Sequence, residues 1–202
     1  DSHIIAISRS ENKLKGVFGD ILKSGRVECV AQDVSVPFDF CSITGRRDNR
    51  PADVIFHAAS PISGDTIQKF PVDVIKANLV STQTILDALL EEKIKTGLNS
   101  RLVIFSSATV YGGSSEQDCS VTELETFRAE TLDCASAPYS ESKRMTEVLA
   151  RGYVRQHGLD AVIVRPSYVY GNTYFPPDTA MYSFIESARK KQDIVLKSSG
   201  FS

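Results

Sequence analysis

Scarce residue types set the first limits on this chain. Its four cysteines, Cys29, Cys41, Cys119 and Cys134, form no C-x-x-C pair, and only three histidines accompany them. That argues against a zinc site or a disulfide framework and for reduced thiols in a cytoplasmic protein; no metal is expected. No apolar run approaches the ~18 residues of a membrane-spanning helix, so no membrane partner is expected. An excess of one charge is lacking too: 23 Lys and Arg stand against 25 Asp and Glu, a net charge of −2 with pI near 6.0. That balance leaves no electrostatic footprint for nucleic acid. The basic clusters Arg46-Arg47 and Arg189-Lys190-Lys191 are short, flanked by Asp48 and Asp193, and read as solvated surface. No internal repeat, low-complexity tract or signal peptide is visible. What is present is the 42% hydrophobic content of a soluble globular protein, in a length that suits one large domain or a domain and a half.

Apolar runs alternate with segments of helical period, which predicts an α/β domain on a parallel sheet. Strands are expected at His3–Ile7, Val27–Ala31, Val54–His57, Leu102–Ser106 and Ala161–Val164, with a later one at Ile194–Leu196. They are rich in Val and Ile and hardly alternate, as strands covered on both faces should be. Helices are expected around Asn12–Lys23, Pro71–Lys93, Pro138–His157 and Thr179–Lys191. Pro71 and Pro138 can each open a helix at its first turn, and Val72, Ile75, Leu79, Leu86 and Leu90 read as one apolar stripe. Phe38–Pro51 and Gly112–Ala137 read as loops.

Chemistry concentrates in two stretches. Tyr139 and Lys143 are spaced i, i+4 on an expected helix, which stacks both side chains on one face. A phenol has a reference pKa of about 10 and carries protons poorly at neutral pH unless a cation stabilises the phenolate; Lys143 can do so. The second stretch, Val103 to Gly112, supplies hydroxyls at the end of an apolar strand, and Ser107 among them can hold a substrate alcohol or carbonyl oxygen. The set suits oxidation of a secondary alcohol and reduction of a ketone.

One component of such a fold is not found. A doubly wound, Rossmann-like sheet opens on a central strand and a glycine-rich turn whose amides hold a pyrophosphate. Here the chain opens on His3-Ile4-Ile5-Ala6-Ile7-Ser8-Arg9, which reads as the second strand, and Gly16 and Gly19 lie inside a helix-like segment. Without the central strand the runs at Ile4 and Val27 have nothing joining them to those at Val54, Leu102 and Val162. An unfilled slot leaves backbone groups unpaired in the core, so the chain is expected to be an excerpt of a longer one.

Five segments in order carry a resemblance along nearly the whole chain: Asp53 to Ala59, Ile75 to Leu79 with Asn78, Phe105 to Gly112, Tyr139 to Lys143, and Val164 to Gly171. Together they resemble the extended short-chain dehydrogenase/reductases, the NAD(P)-dependent epimerases and dehydratases of nucleotide sugars. The resemblance implies that Tyr139 is the general acid/base, that Lys143 binds the nicotinamide ribose and tunes the phenol, and that Ser107 orients the reacting oxygen. It puts Ala58 and Ala59 against the cofactor, although tight strand–helix packing explains small residues there as well. Asn78, Ser106 and Pro166 join the cofactor-binding positions; Thr109 and Tyr168 join Ser107 at the substrate. Asp33-Val34 resembles the pair that contacts the adenine, and Asp33 can equally cap a turn. By this likeness residues 1–172 are a truncated NAD(P)-binding domain and 173–202 begin the substrate-binding region. A homodimer is expected for the complete protein.

Two departures from the family pattern bear on function. NAD-dependent members end the second strand on an acidic residue that accepts from the ribose 2′-hydroxyl. Ser8 stands there, followed by Arg9 and Ser10, and a guanidinium suits a 2′-phosphate; the leaning is to NADP, with NAD kept open. Sugar 4,6-dehydratases carry an Asp-Glu pair after the catalytic hydroxyl, where this chain has Ala108 and Thr109. Neither can act as a base, so the stretch resembles the 4-epimerases and disfavours dehydration. Tyr168 replaces an Asn that contacts the substrate diphosphate in many members. The expected activity is nucleotide-sugar epimerisation. An NADP-dependent ketoreductase and a non-catalytic dinucleotide sensor of the same fold are the alternatives.

Overall fold

A computed structural model describes residues 2–44, 52–112, 131–171 and 180–194. The chain divides into two compact units, Asp1–Val169 and Tyr170–Ser202. The first contains five strands: β1 Ile4–Ser8, β2 Val27–Ala31, β3 Val54–His57, β4 Arg101–Phe105 and β5 Asp160–Val164. β2 and β3 have their predicted bounds and the others move by a residue. Between them run α1 Glu11–Phe18, α2 Phe40–Thr44, α3 Gly64–Lys69, α4 Pro71–Thr96 and α5 Ala137–His157. The second unit contains α6 Ala180–Arg189, where the Tyr182 hydroxyl bonds the backbone of Gly171. The expected strand at Ile194–Leu196 and the helix start at Thr179 fall outside the described residues, apart from Ile194. No helix among the described residues is long and apolar enough to cross a membrane.

Two expectations are corrected locally. The helix around Asn12–Lys23 is α-helical only to Phe18, where Gly19 turns to φ +43 and the chain continues as a 3-10 turn, Gly19–Ser24. The stretch Phe38–Pro51 is not all loop: the Asp39 carboxylate accepts from the Cys41 amide, and Phe40 sinks into the core at 6% exposure, so α2 forms.

All strand pairs are parallel, in two sheets ordered β1-β2 and β3-β4-β5. Among the described residues no strand joins the two sheets. In the larger sheet Leu102 pairs with Ile55 on one side and Ala161 on the other, and Ile104 pairs with His57. That face is covered by α4 and α5 through Ile85, Leu86, Leu89 and Ala150. Leu86 and Leu102 are wholly buried, each contributing about 1.5–3 kcal/mol. The other face is not covered as the sequence suggested: Phe56 is 67% exposed, and Val54 and Val162 are exposed beside it.

The stripe on α4 is also corrected. Val72 and Ile75 are exposed, and the buried residues are Val74, Asn78, Ser81, Thr82, Ile85, Leu86, Ala88, Leu89 and Glu92. Polar residues occupy the inner face at its N-terminal half because partners await them there. At the other end Lys93 Nζ donates to the carbonyls of His157 and Gly158, closing α5 where Gly158 turns left-handed at φ +64.

Candidate active site

α5 opens with Ala137 and Pro138 in its first turn and presents Tyr139 and Lys143 one turn apart. Lys143 Nζ lies 5.9 Å from the Tyr139 ring centroid and donates to the Phe105 carbonyl at 2.7 Å. That bond ties the helix to the end of β4. Lys143 is 6% exposed, and burial lowers its pKa to about 8. It remains mostly charged at neutral pH, with two N–H groups beyond the one given to Phe105.

Past β4 the chain is fastened to the exit of β5, Ser106 N donating to the Val164 carbonyl and Ala108 N to that of Pro166. Ser107 then caps a 3-10 turn, Ala108–Tyr111. Its Oγ accepts from Thr109 N at 3.2 Å and from Thr109 Oγ1 at 3.0 Å. With two bonds accepted, the Ser107 hydroxyl has its own proton to offer. Thr109, an expected substrate contact, thus spends its proton on Ser107, and Ala108 has no polar side-chain atom. The Ser106 hydroxyl is buried and without a hydrogen-bond partner among the described residues.

A polar network whose proton directions can be assigned joins the exit of β3, α4 and α5. Ser60 Oγ donates to Asn78 Oδ1 at 2.7 Å, Asn78 Nδ2 to Ser142 Oγ at 2.9 Å, and Ser142 Oγ to the Tyr139 carbonyl at 2.9 Å. Asn78, an expected cofactor contact, is 2% exposed and holds the loop after β3 to the first turn of α5. His57 Nε2 lies 3.0 Å from Thr82 Oγ1 and 3.2 Å from Ser81 Oγ. Both hydroxyls give their protons to carbonyls one turn back, of Asn78 and Ala77, so Nε2 carries the hydrogen. Burial, and secondarily the Lys143 charge, lowers the His57 pKa to about 4 and keeps the ring neutral.

The remaining expected positions also lie past the C-terminal ends of strands. Ala58 and Ala59 are exposed after β3, and Tyr168 is 86% exposed after β5. Ser8 ends β1, its Oγ donating to the Ser10 carbonyl and accepting the Ser10 amide, and Arg9 is exposed. Asp33 follows β2 and caps a turn: Oδ1 accepts from the hydroxyl and the amide of Ser35, which hold its pKa below the usual range. Val34 packs against the hydrophobic core. Tyr139, Lys143, Asn78, Ser106, Ser107, Thr109 and Pro166 are thus linked by bonds or chain adjacency. Ser8, Arg9 and Asp33 belong to the β1-β2 side, while Val34 reaches the core of the larger sheet.

The model of the NAD dependent epimerase/dehydratase family matches residues 10–201. The chain belongs to that family. A dTDP-glucose 4,6-dehydratase of Streptomyces antibioticus is 33% identical over 125 residues, which cover 62% of this chain and 33% of the relative. The chain therefore spans about a third of that protein. A crystal structure of a dTDP-glucose 4,6-dehydratase double mutant from Streptomyces venezuelae, with NAD bound, superposes with TM-score 0.75 at 24% identity, over 98% of this chain and 56% of its own. A UDP-glucuronic acid 4-epimerase from Bacillus cereus, in complex with UDP-glucuronic acid and NAD, gives TM-score 0.72 at 22% identity, over 98% and 58%. These two likenesses concern the fold.

The residues fit the dinucleotide that the epimerase/dehydratase family's description names. A buried Ser106 hydroxyl awaits a partner, Lys143 has donors to spare, and Ala58 and Ala59 leave the end of β3 unencumbered. Sequence reasoning missed the supporting groups Ser60, Thr82 and Ser142. For Thr82 and Ser142 the signal was polar residues at helical spacing, 78, 81, 82 on α4 and 142, 146 on α5, in step with apolar ones; Ser60 lies in the loop after β3.

Proposed function

We propose that the protein carrying this chain is an NAD-dependent nucleotide-sugar epimerase working through Ser107, Tyr139 and Lys143. NAD, held by Lys143 and Ser106 with Ala58 and Ala59 leaving room beside it, would supply reversible hydride transfer at a sugar carbon. The Tyr139 phenolate takes the proton of the hydroxyl on that carbon and gives it back when the ketone is reduced from its other face. Lys143, charged at neutral pH, stabilises the phenolate. Ser107 donates to the sugar oxygen, the role left to a hydroxyl that already accepts twice from Thr109.

The observation that carries the choice of epimerisation over dehydration is the pair Ala108 and Thr109. Elimination of water needs a base beside the new ketone. Ala108 offers none, and the Thr109 hydroxyl is engaged with Ser107. NAD is favoured because the family's description names it and both structural neighbours hold it. The leaning to NADP rests on Arg9 alone, since the Ser8 hydroxyl is already bonded both ways to Ser10. The test is the complete protein given dTDP-glucose, UDP-glucuronic acid and UDP-N-acetylglucosamine, with products weighed by mass spectrometry. A product of unchanged mass is expected, with turnover falling about 10²–10⁴-fold in Tyr139→Phe. A product lighter by one water would overturn epimerisation, and full activity in Tyr139→Phe would overturn the mechanism.

A further inference from the structure

Arg165, the first residue after β5, reaches two elements at once. Its Nε and Nη2 donate to the two carboxylate oxygens of Glu147 at 2.9 and 2.7 Å, and its Nη1 donates to the Tyr111 hydroxyl at 2.9 Å. The guanidinium also lies over the Tyr111 ring, 4.9 Å from its centroid. The Glu147 side chain is 9% exposed and that of Arg165 21%, so water screens this pair little. A bidentate fork fixes direction as well as distance.

The two partners belong to the two halves of the candidate site. Glu147 follows Lys143 by one helical turn and Tyr139 by two, so the three share a face of α5. Tyr111 closes the 3-10 turn that Ser107 opens. The start of that segment is held to the β5 exit by the backbone bonds from Ser106 and Ala108. Its end meets Arg165. We infer that Arg165 is a positioning residue which, by gripping Glu147 and Tyr111 together, sets the Ser107 turn against the Tyr139–Lys143 face. The inference rests on the proposed function for its purpose, and Arg165 acts through the two residues it holds.

The test uses the complete protein with Tyr111→Phe, which keeps the ring and removes one acceptor, and Arg165→Lys, which keeps the charge and loses the fork. Hydrogen–deuterium exchange of residues 107–112 is read without substrate, beside kcat and the KM for NAD on whichever of the three sugar nucleotides turns over. Exchange at 107–112 should quicken about tenfold or more while β4 and α4 keep their protection. kcat should fall about 10–100-fold, the scale of an ångström of misplacement, with the KM for NAD within about twofold. Unchanged exchange at 107–112 in both variants would overturn the inference. So would loss of protection spread through β4, β5 and α4, which marks a structural prop. A fully active Tyr139→Phe would sink the epimerase reading alone, leaving exchange to decide whether Arg165 sets the turn.

Discussion

Lys143 pays for its position in a way that can be measured. Its pKa of about 8 stands against an ordinary 10.5, and the cause is burial. Below pH 8 both folded and unfolded chains carry the charge. Between about 8 and 10.5 the unfolded chain is protonated and the folded one is not, so the unfolded state binds more protons and stability rises with pH. The gap corresponds to ~3 kcal/mol at ~1.4 kcal/mol per unit. The informative comparison is with Lys143→Met, which has no titrating group and cancels every other one. That variant also leaves the Phe105 carbonyl without its donor, a cost of about 1–3 kcal/mol that does not vary with pH. Urea unfolding of both proteins between about pH 7 and 10.5 isolates the titration. The wild type should gain ~3 kcal/mol on the variant across the window. A difference flat to within ~0.5 kcal/mol would refute burial as the force on this ammonium. In the active protein the same titration should lower kcat/KM as pH rises through about 8, because the phenolate of Tyr139 then loses its cation.

Two further outcomes are expected. Asn78→Leu keeps the number and branching of side-chain heavy atoms but strips Ser142 of its donor and leaves Ser60 only the Pro61 carbonyl at 3.3 Å, and should cost about 2–4 kcal/mol in urea unfolding; a loss below ~0.5 kcal/mol would mean the network does not hold α5. Arg9→Ala should weaken NADP binding by about 1–3 kcal/mol and spare NAD if that guanidinium reads a 2′-phosphate. Equal losses for both cofactors, measured by calorimetry, would remove Arg9 from cofactor choice.

The strands were legible because each is a short Val- and Ile-rich run with no competing period, and β2 and β3 are found with their predicted bounds. The Tyr139–Lys143 spacing was legible because it lies within one helix, where sequence distance fixes spatial distance. The α4 stripe was not. Hydrophobic periodicity picked Val72 and Ile75, yet the inner face is Asn78, Ser81 and Thr82, whose partners come from β3 and α5. A buried polar residue is stable only with its partner, and the partner is invisible until the chain is folded. The Arg165–Glu147–Tyr111 contact was hidden for the same reason, since it joins residues separated by 18 and 54 positions.

Similarity along the chain and similarity in reaction are carried by different residues. Identity of 33% to a dTDP-glucose 4,6-dehydratase is spread over 125 residues. In the proposed mechanism oxidation and reduction at a sugar carbon use Ser107, Tyr139 and Lys143, a set that epimerisation and dehydration can share. What divides the two reactions is a base one or two residues beyond Ser107, a choice of two side chains that hardly moves an identity score. Ala108 has nothing to titrate, and the Thr109 hydroxyl already donates a hydrogen bond to Ser107. Placing a carboxylate there, as Thr109→Glu, would remove the second bond that orients the Ser107 hydroxyl while adding a base. On the proposed reading the same two positions tune the alcohol chemistry and decide whether water can leave.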